Sequence, residues 1–308
     1  MFILRILAPL VLLALVLWFL KTADLAPLER ALSQVSPLPV IAGLILVQIQ
    51  IVASALRWRF TAARLGQAIA PGRAIGEYYV ASLLNQSLPG GMAGDAIRAY
   101  RMRRAGGWQA SAKAVLFERL SGQIAFFTLA LGGVFAWPSL LAGRAPGAPS
   151  ELVSVEVLGL GALALVLVIA AGLMLAARCF ARAASLVAEI RQVFLDRGAW
   201  AVQAGLSVTI VLTYVVTFFI ASQAVGAQLG WQGALTVIPL SLLAMLIPAG
   251  LGGWGTREAA AMALWPLSGA NPQQGLAASL VYGLLSLAGA LPGLAVLLAD
   301  ALQRRSAA

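Results

Sequence analysis

Apolar runs long enough to cross a bilayer as helices recur along the chain. Six of them cover residues 3–20, 38–56, 114–137, 153–177, 201–222 and 275–299. Two further apolar stretches, at 76–104 and 235–265, are interrupted by proline and clustered glycine, which cannot continue a helix smoothly. The pattern predicts an all-α polytopic membrane protein, a single integral membrane domain over 1–308 with about six full transmembrane helices and two re-entrant helical hairpins.

The composition excludes several other classes of protein. Hydrophobic residues make up 61% of the 308 residues and charged residues 10%, against about 45–50% and about 25% in soluble domains. So little polar surface excludes a soluble enzyme, a disordered chain and a secreted disulfide scaffold. The chain has no histidine and one cysteine, Cys179, so we expect neither a metal nor a cofactor, and no histidine-dependent catalysis.

The net charge of +10 bears on the orientation, because membrane proteins concentrate arginine and lysine in cytoplasmic loops. With the N-terminus inside and both interrupted stretches re-entrant, fifteen arginines lie on the cytoplasmic side, and Lys21, Arg30 and Arg144 lie outside. If both stretches crossed, eight arginines between residues 98 and 197 would move outside. We therefore expect re-entrant hairpins, two cytoplasmic termini and no nucleic-acid partner.

The two interrupted stretches share a motif at an offset of 159 residues. The matched positions include Ser82 with Ser241, Pro89 with Pro248, Gly91 with Gly250, Gly94 with Gly253, and Arg98 with Arg257. Because the first stretch follows a cytoplasmic loop and the second an external one, the repeat is expected to be inverted, with a binding site near the membrane midplane. The predicted half-repeats are 38–137 and 201–299.

Arg98 and Arg257 each follow a proline–glycine break, near the expected start of a returning half-helix. We predict Asp95 and Thr256 as the N-caps of these halves. A helix N-terminus and a guanidinium together suit a phosphate. Two alternatives stay open: Arg98 pairs with Asp95 and Arg257 with Glu258 to hold the hairpins, or Arg98 joins a cytoplasmic arginine belt.

Glu118 and Arg119 are charged neighbours inside another apolar run. Adjacent helical residues point about 100° apart, so the two need different partners. Either both belong to a central site or both snorkel to the headgroup level. Asn85 is expected to satisfy backbone groups freed by the break. The predicted hairpin breaks are Pro89, Gly90, Gly91, Gly94, Pro248, Gly250, Gly252 and Gly253.

The segment 178–199 carries arginines among leucine, valine and isoleucine residues. It is either an amphipathic helix on the inner leaflet or a plain connecting loop. Its basic residues would be attracted to anionic lipid.

Three stretches, NQSLPGGMAGDAIR, FERLSG and PAGLGGWGTREAA, resemble a flippase-like family typified by the transmembrane domain of lysylphosphatidylglycerol synthase. The resemblance implies movement of polar lipid headgroups across a bacterial inner membrane. We expect no lysyl-lipid synthesis, because the sequence given shows no soluble aminoacyl-transferring domain. The expected substrate-binding residues are Asn85, Asp95, Arg98, Glu118, Arg119, Arg257 and Glu258.

Three functions follow as hypotheses. The first is a flippase for a polar, anionic lipid headgroup, without ATP hydrolysis of its own because no Walker motif is present. The second is an intramembrane enzyme acting on a phospho- or polyprenyl-linked lipid, with Asp95, Glu118 or Glu258 as acid or base. The third is a non-catalytic partner of a glycosyltransferase or lipid synthase. Membrane lipids are the expected partners, with a second copy of the chain and a lipid-modifying enzyme as further candidates.

Overall fold

The computed structural model describes residues 37–88, 91–141, 181–227, 229–246 and 252–306. This part of the chain contains helices and no strands. The predicted spans at 3–20 and 153–177 lie outside the described residues, as do Pro89, Gly90, Pro248 and Gly250.

Ten α-helices make up the described part. They are α1 (Pro37–Arg64), α2 (Pro71–Ser87), α3 (Ala93–Met102), α4 (Trp108–Leu141), α5 (Ala181–Phe194), α6 (Ala199–Ala224), α7 (Trp231–Leu243), α8 (Thr256–Leu264), α9 (Pro272–Ala290) and α10 (Pro292–Ser306). Four segments are long and apolar enough to cross a membrane: Pro37–Arg64, Trp108–Gly133, Asp196–Ala224 and Pro272–Gln303. They coincide with four of the predicted spans, and the chain is a multi-pass helical membrane protein.

The last of these spans is not one continuous α-helix. The α-helix α9 ends at Ala290 and α10 begins at Pro292. Proline has no backbone N–H to donate and its ring crowds the preceding turn, so the regular hydrogen bonding changes here, although Leu291 keeps helical dihedral angles. The predicted span over 275–299 lies within the apolar segment Pro272–Gln303, although its helix is divided at Leu291.

Helix α1 presents an apolar stripe to its surroundings. Leu38, Ile41, Ile45 and Ile49 lie three or four residues apart and are 73%, 54%, 55% and 44% exposed. Residues at this spacing share one helix face. In a chain of this composition the face suits lipid tails rather than water.

The first interrupted stretch doubles back on itself. The backbone of α3 reaches α2 so closely that a Cβ on Gly94 would overlap the carbonyl of Ala81. Further from the tip, Arg101 Nε on α3 lies 2.6 Å from Glu77 Oε2 on α2. Helices α2 and α3 therefore form an antiparallel hairpin whose two open ends lie together.

The second interrupted stretch has the same form. Near its tip Gly253 lies beside the Met245 side chain, and at its open end Gly233 lies beside Ser268. The prediction of two helical hairpins is thus matched in shape, while their entry into a bilayer stays a prediction.

The open ends of the two hairpins lie at opposite ends of the helical bundle. The first shares its end with α5 and the start of α6, because Lys113 Nζ lies 2.6 Å from Glu189 Oε1 and Arg64 bonds the carbonyl of Asp196. The second lies at the far end of α6, where Gln274 Nε2 donates to the carbonyl of Gly226 at 3.0 Å. The hairpins therefore approach each other from opposite sides.

The tips of the two hairpins meet. Gly252, at the tip of the second hairpin, lies so close to the first that an added Cβ would be 2.6 Å from Gln86 Cα. Gly91, at the tip of the first, faces Gly252. The element order of 37–141 also recurs over 199–290. This arrangement is the one expected of an inverted repeat, whose half-repeat boundaries stay a prediction.

Among the residues that the structure describes, the largest hydrophobic cluster lies around the second hairpin. The Phe218 and Tyr282 rings stack at a centroid distance of 4.8 Å, and Trp265 packs on Phe218 at 5.4 Å. These three residues come from α6, α9 and the turn after α8, so the cluster fixes the second hairpin against two long helices. The α8 helix can therefore carry charged residues at a defined position.

The segment 178–199 is helical over Ala181–Phe194, so the alternative of a plain loop is wrong there. Val193 is fully buried, and the Phe194 ring packs edge-on against Phe117 of α4 at 6.2 Å. Leu195 is 62% exposed. Helix α5 thus packs one face against the bundle.

Candidate functional site

A cavity of about 260 Å³ lies where the hairpin tips meet. Its walls come from α1, α2, α4, α6, α7 and α9 as well as from both hairpin tips. Five of the seven predicted binding residues line it: Asn85, Asp95, Glu118, Arg119 and Arg257. The volume lies just below the range of about 300–1,000 Å³ typical of small-molecule pockets, so it fits a small polar group.

Asp95 is the centre of one hydrogen-bond network beside the cavity. Its Oδ2 accepts from Asn85 Nδ2 at 3.0 Å and from Arg119 Nε at 2.7 Å. Its Oδ1 lies 2.7 Å from Arg98 Nη2. Asn85 in turn accepts a bond from the backbone N–H of Gly94 at 2.7 Å. The prediction that Asn85 satisfies backbone near the break is confirmed.

The predicted helix caps are wrong. Helix α3 begins at Ala93 with Met92 at the N-cap, so Asp95 lies inside its first turn. Helix α8 has Gly255 at the N-cap, and Glu258 Oε2 accepts from the Gly255 N–H at 2.5 Å. Thr256 is instead the first helical residue. Acidic side chains in the first turn still complement the positive end of the helix dipole.

Glu118, on α4, accepts hydrogen bonds from residues on three other helices, α1, α2 and α3. Its Oε1 accepts from Arg57 Nη2 at 2.8 Å and from the Tyr78 hydroxyl at 3.1 Å. Its Oε2 accepts from Arg98 Nη2 at 3.1 Å. The Glu118 side chain is 2% exposed, so it does not snorkel to a headgroup layer. Glu118 and Arg119 have different partners, as their positions on the helix predicted.

Arg98 is buried beside the cavity and does not line it. Its guanidinium lies between two aromatic rings, 4.5 Å from the Trp58 centroid and 4.4 Å from the Tyr78 centroid. Cation–π contacts of this kind stabilise a desolvated guanidinium. Arg98 pairs with Asp95, as one open alternative predicted, and it does not join an exposed arginine belt.

Arg257 forms a second, smaller network on the other hairpin. Its Nη2 lies 2.5 Å from Glu258 Oε1, and its Nε donates to Ser279 Oγ at 2.7 Å. Trp254 and Tyr282 lie 5.1 and 4.9 Å from its Cζ. The alternative that Arg257 pairs with Glu258 is therefore confirmed, although Arg257 also reaches the cavity wall. Glu258 does not line the cavity.

The two networks differ in charge. The first contains Arg57, Arg98 and Arg119 against Asp95 and Glu118, which leaves an excess of one positive charge. The second contains Arg257 against Glu258 and is balanced. In the described residues no three His, Cys, Asp or Glu side chains converge as a metal site would require. The side of the cavity next to the first hairpin is therefore the more cationic one.

Several polar residues of the cavity were missed as site residues. Arg57, Gln50 and Tyr78 are among them. Arg57 was placed at the cytoplasmic end of a predicted span ending at residue 56, but α1 continues to Arg64 and leaves Arg57 only 4% exposed. The sequence around Arg57 combines arginine with Trp58 and Arg59. This combination is typical of a membrane interface, so it did not mark Arg57 as a site residue.

The described glycines of the hairpin breaks fall into two groups. Gly91, Gly252 and Gly253 have φ of 63°, 55° and 85°, a region that side chains with a Cβ rarely adopt. Gly94 is different, because it lies within α3 and permits the close contact with Ala81. Its prediction as a break residue is wrong, while its role in close packing is clear.

A family model described as the lysylphosphatidylglycerol synthase TM region matches residues 5–293. No curated protein matches the chain significantly. The family match covers both hairpins, both charge networks and the cavity between them. This chain therefore belongs to the family of the lysylphosphatidylglycerol synthase transmembrane region.

Proposed function

We propose that this protein transfers a polar, anionic lipid headgroup across the membrane through the central cavity. The observation that carries the proposal is the position of the cavity at the contact between two hairpins that approach from opposite ends. Arg119 reaches the cavity from the side of the first hairpin, and Arg257 reaches it from the second. A headgroup held there is within reach of a cationic group on either side.

The hydrogen bonds suggest how the two sides differ. Arg119 is 31% exposed, the most accessible of the three arginines in the first network. Its Nη2 also donates to the carbonyl of Gly91 at the hairpin tip, at 3.2 Å. A phosphate in the cavity would compete with Asp95 for Arg119, since guanidinium groups bind both anions bidentately. Exchange of that kind would couple headgroup binding to the position of the tip.

Movement of the tips supplies the alternating access in this proposal. The two tips meet through Gly91 and Gly252. Loss of this contact would open the cavity toward one end of the bundle or the other. The membrane-lipid character of the family is consistent with a lipid as the cargo.

The experiment is reconstitution in liposomes with a panel of labelled lipids, scoring both leaflet exchange and chemical conversion. We expect faster exchange of anionic lipids than in protein-free liposomes, and no new lipid product. Conversion of a lipid would favour the intramembrane-enzyme hypothesis. Absence of both would favour a protein that assists a separate lipid enzyme.

A further inference from the structure

The uncharged groups of the cavity wall narrow the class of headgroup. Besides its charged residues, the cavity is lined by a set of side chains that both donate and accept hydrogen bonds: Gln50, Ser54, Gln86, Gln123, Tyr214 and Ser286. Amides and hydroxyls of this type suit a ligand that also carries hydroxyls. Their N–H and O–H groups can also donate to phosphate oxygens, while their acceptor oxygens suit hydroxyl groups on the ligand.

The carboxylates that reach the cavity are fully engaged by other groups. Asp95 and Glu118 are the acidic residues in the described wall. Each of their four oxygens already accepts a hydrogen bond from an arginine. An ammonium group would find no free carboxylate there, and it would face the excess positive charge of the first network.

An anion, by contrast, finds one buried donor that has no hydrogen-bond partner among the described residues. Arg57 lines the cavity and is 4% exposed, and its Nε has no hydrogen-bond partner among the described residues. Gln50 lies seven residues earlier, on the same face of α1. Its Oε1 also has no hydrogen-bond partner among the described residues. Buried polar groups of this kind are normally satisfied. A phosphate beside Arg57 with a hydroxyl beside Gln50 would satisfy both.

We infer that the cavity selects a hydroxylated phosphodiester headgroup with one negative charge and discriminates against headgroups that carry an amine. The inference rests on the proposed lipid-transfer function and specifies its cargo. Its chemical class is that of glycerol or sugar phosphodiesters. Aminoacylated and ethanolamine headgroups are excluded by charge, because like-charge contacts are strongly unfavourable in a desolvated site.

The test is binding of defined lipids to the purified full chain in detergent, measured by native mass spectrometry or calorimetry. Four probes separate the effect of the hydroxyl groups from the effect of the amine. They are phosphatidylglycerol, phosphatidylethanol without hydroxyls, zwitterionic phosphatidylethanolamine and cationic lysyl-phosphatidylglycerol. We expect phosphatidylglycerol to bind at least about tenfold more tightly than either amine lipid. Repulsion between the amine and the excess positive charge of the first network is large enough to lower the affinity by that factor. Phosphatidylethanol should fall between them. Equal or tighter binding of an amine lipid would overturn the inference.

A variant sharpens the test. Gln50→Glu adds a carboxylate of the same shape to the wall and cancels the excess charge, so it should lower the preference for phosphatidylglycerol over lysyl-phosphatidylglycerol by about tenfold or more. Gln273→Glu, at an exposed position on α9, is the matched control and should leave the preference unchanged. An unchanged preference in Gln50→Glu would remove Gln50 and the charge excess from the selectivity.

Two outcomes separate this inference from the proposed function. Selective binding of phosphatidylglycerol without leaflet exchange would support the selectivity and contradict transfer. Rapid exchange of amine lipids would support transfer and contradict the selectivity. Glycerophosphoglycerol, the deacylated headgroup, serves as a soluble competitor: weaker binding than the intact lipid assigns the site to a lipid, and stronger binding assigns it to a soluble phosphodiester.

Discussion

Arg57 on α1 and Glu118 on α4 form an ion pair at 2.8 Å, and their side chains are 4% and 2% exposed. The other terminal nitrogen of Arg57 contacts α6, where Nη1 donates to Ser207 Oγ at 3.0 Å. The pair thus joins three of the four long apolar segments next to the cavity. Its removal would affect both the fold and the site.

Replacement of Glu118 by glutamine should destabilise the protein and abolish lipid transfer. The change removes the negative charge that Arg57 and Arg98 share, and a buried ion left without its partner costs roughly 3–5 kcal/mol. Thermal melting in detergent, measured beside transfer on the same samples, checks this. The matched control is Glu189→Gln, because the Lys113–Glu189 pair is partly exposed and such pairs contribute only about 0–1 kcal/mol. Equal melting of the two variants would contradict a central role for Glu118.

Replacement of Gly252 by alanine should separate the hairpin tips. A Cβ there would lie 2.6 Å from Gln86 Cα, and the positive φ adds strain of roughly 1–2 kcal/mol. We expect lower thermal stability and impaired transfer. Gly66→Ala is the control, since Gly66 also has positive φ but has open space around its Cα. If both variants lose the same amount of stability and neither loses transfer, the tip contact has no part in the mechanism.

Replacement of Arg257 by alanine should abolish transfer, and Arg257→Lys should restore part of it. Lysine keeps the charge but lacks the planar fork that binds a phosphate through two bonds. Because Arg257 also pairs with Glu258 and Ser279, melting must be recorded for each variant. Full transfer by a stably inserted Arg257→Ala protein would remove this residue from the mechanism.

The membrane orientation gives a separate prediction. Both termini and the 178–199 segment should be cytoplasmic, with residues 138–152 outside. The structure gathers Arg64, Arg101 and Lys113 at one end of the bundle, where the positive-inside rule expects the cytoplasm. Cysteine labelling in a Cys179-free background measures this directly. Labelling of Arg103→Cys from the outside would contradict the orientation.

Much of the fold could be predicted from apolar length and from helix breakers. The four described spans and the two hairpins follow from runs of about 20 apolar residues and from proline–glycine clusters. The interruption between Ala290 and Pro292 was missed, since the apolar run is continuous across it. The N-caps at Met92 and Gly255 were missed as well, because their backbone conformation is set by the hairpin tips.

The site was predictable only where charge stands inside an apolar run. Glu118 and Arg119 stood out for this reason, and both line the cavity. Arg57 did not, because a charge at the end of a run resembles an interface residue. The aromatic contacts of Arg98 with Trp58 and Tyr78 join separate helices. Such tertiary contacts leave no pattern in one sequence.

The most direct test of the account is to block the cavity in the folded protein. Gln123 on α4 lines the cavity, while its neighbour Ile124 is 62% exposed and points about 100° away. Each is replaced by cysteine in a Cys179-free background and labelled with a bulky maleimide, and exchange of labelled phosphatidylglycerol is measured in liposomes. The account predicts that labelling Gln123→Cys abolishes transfer and labelling Ile124→Cys does not. Full transfer after complete labelling of Gln123→Cys would contradict passage through this cavity.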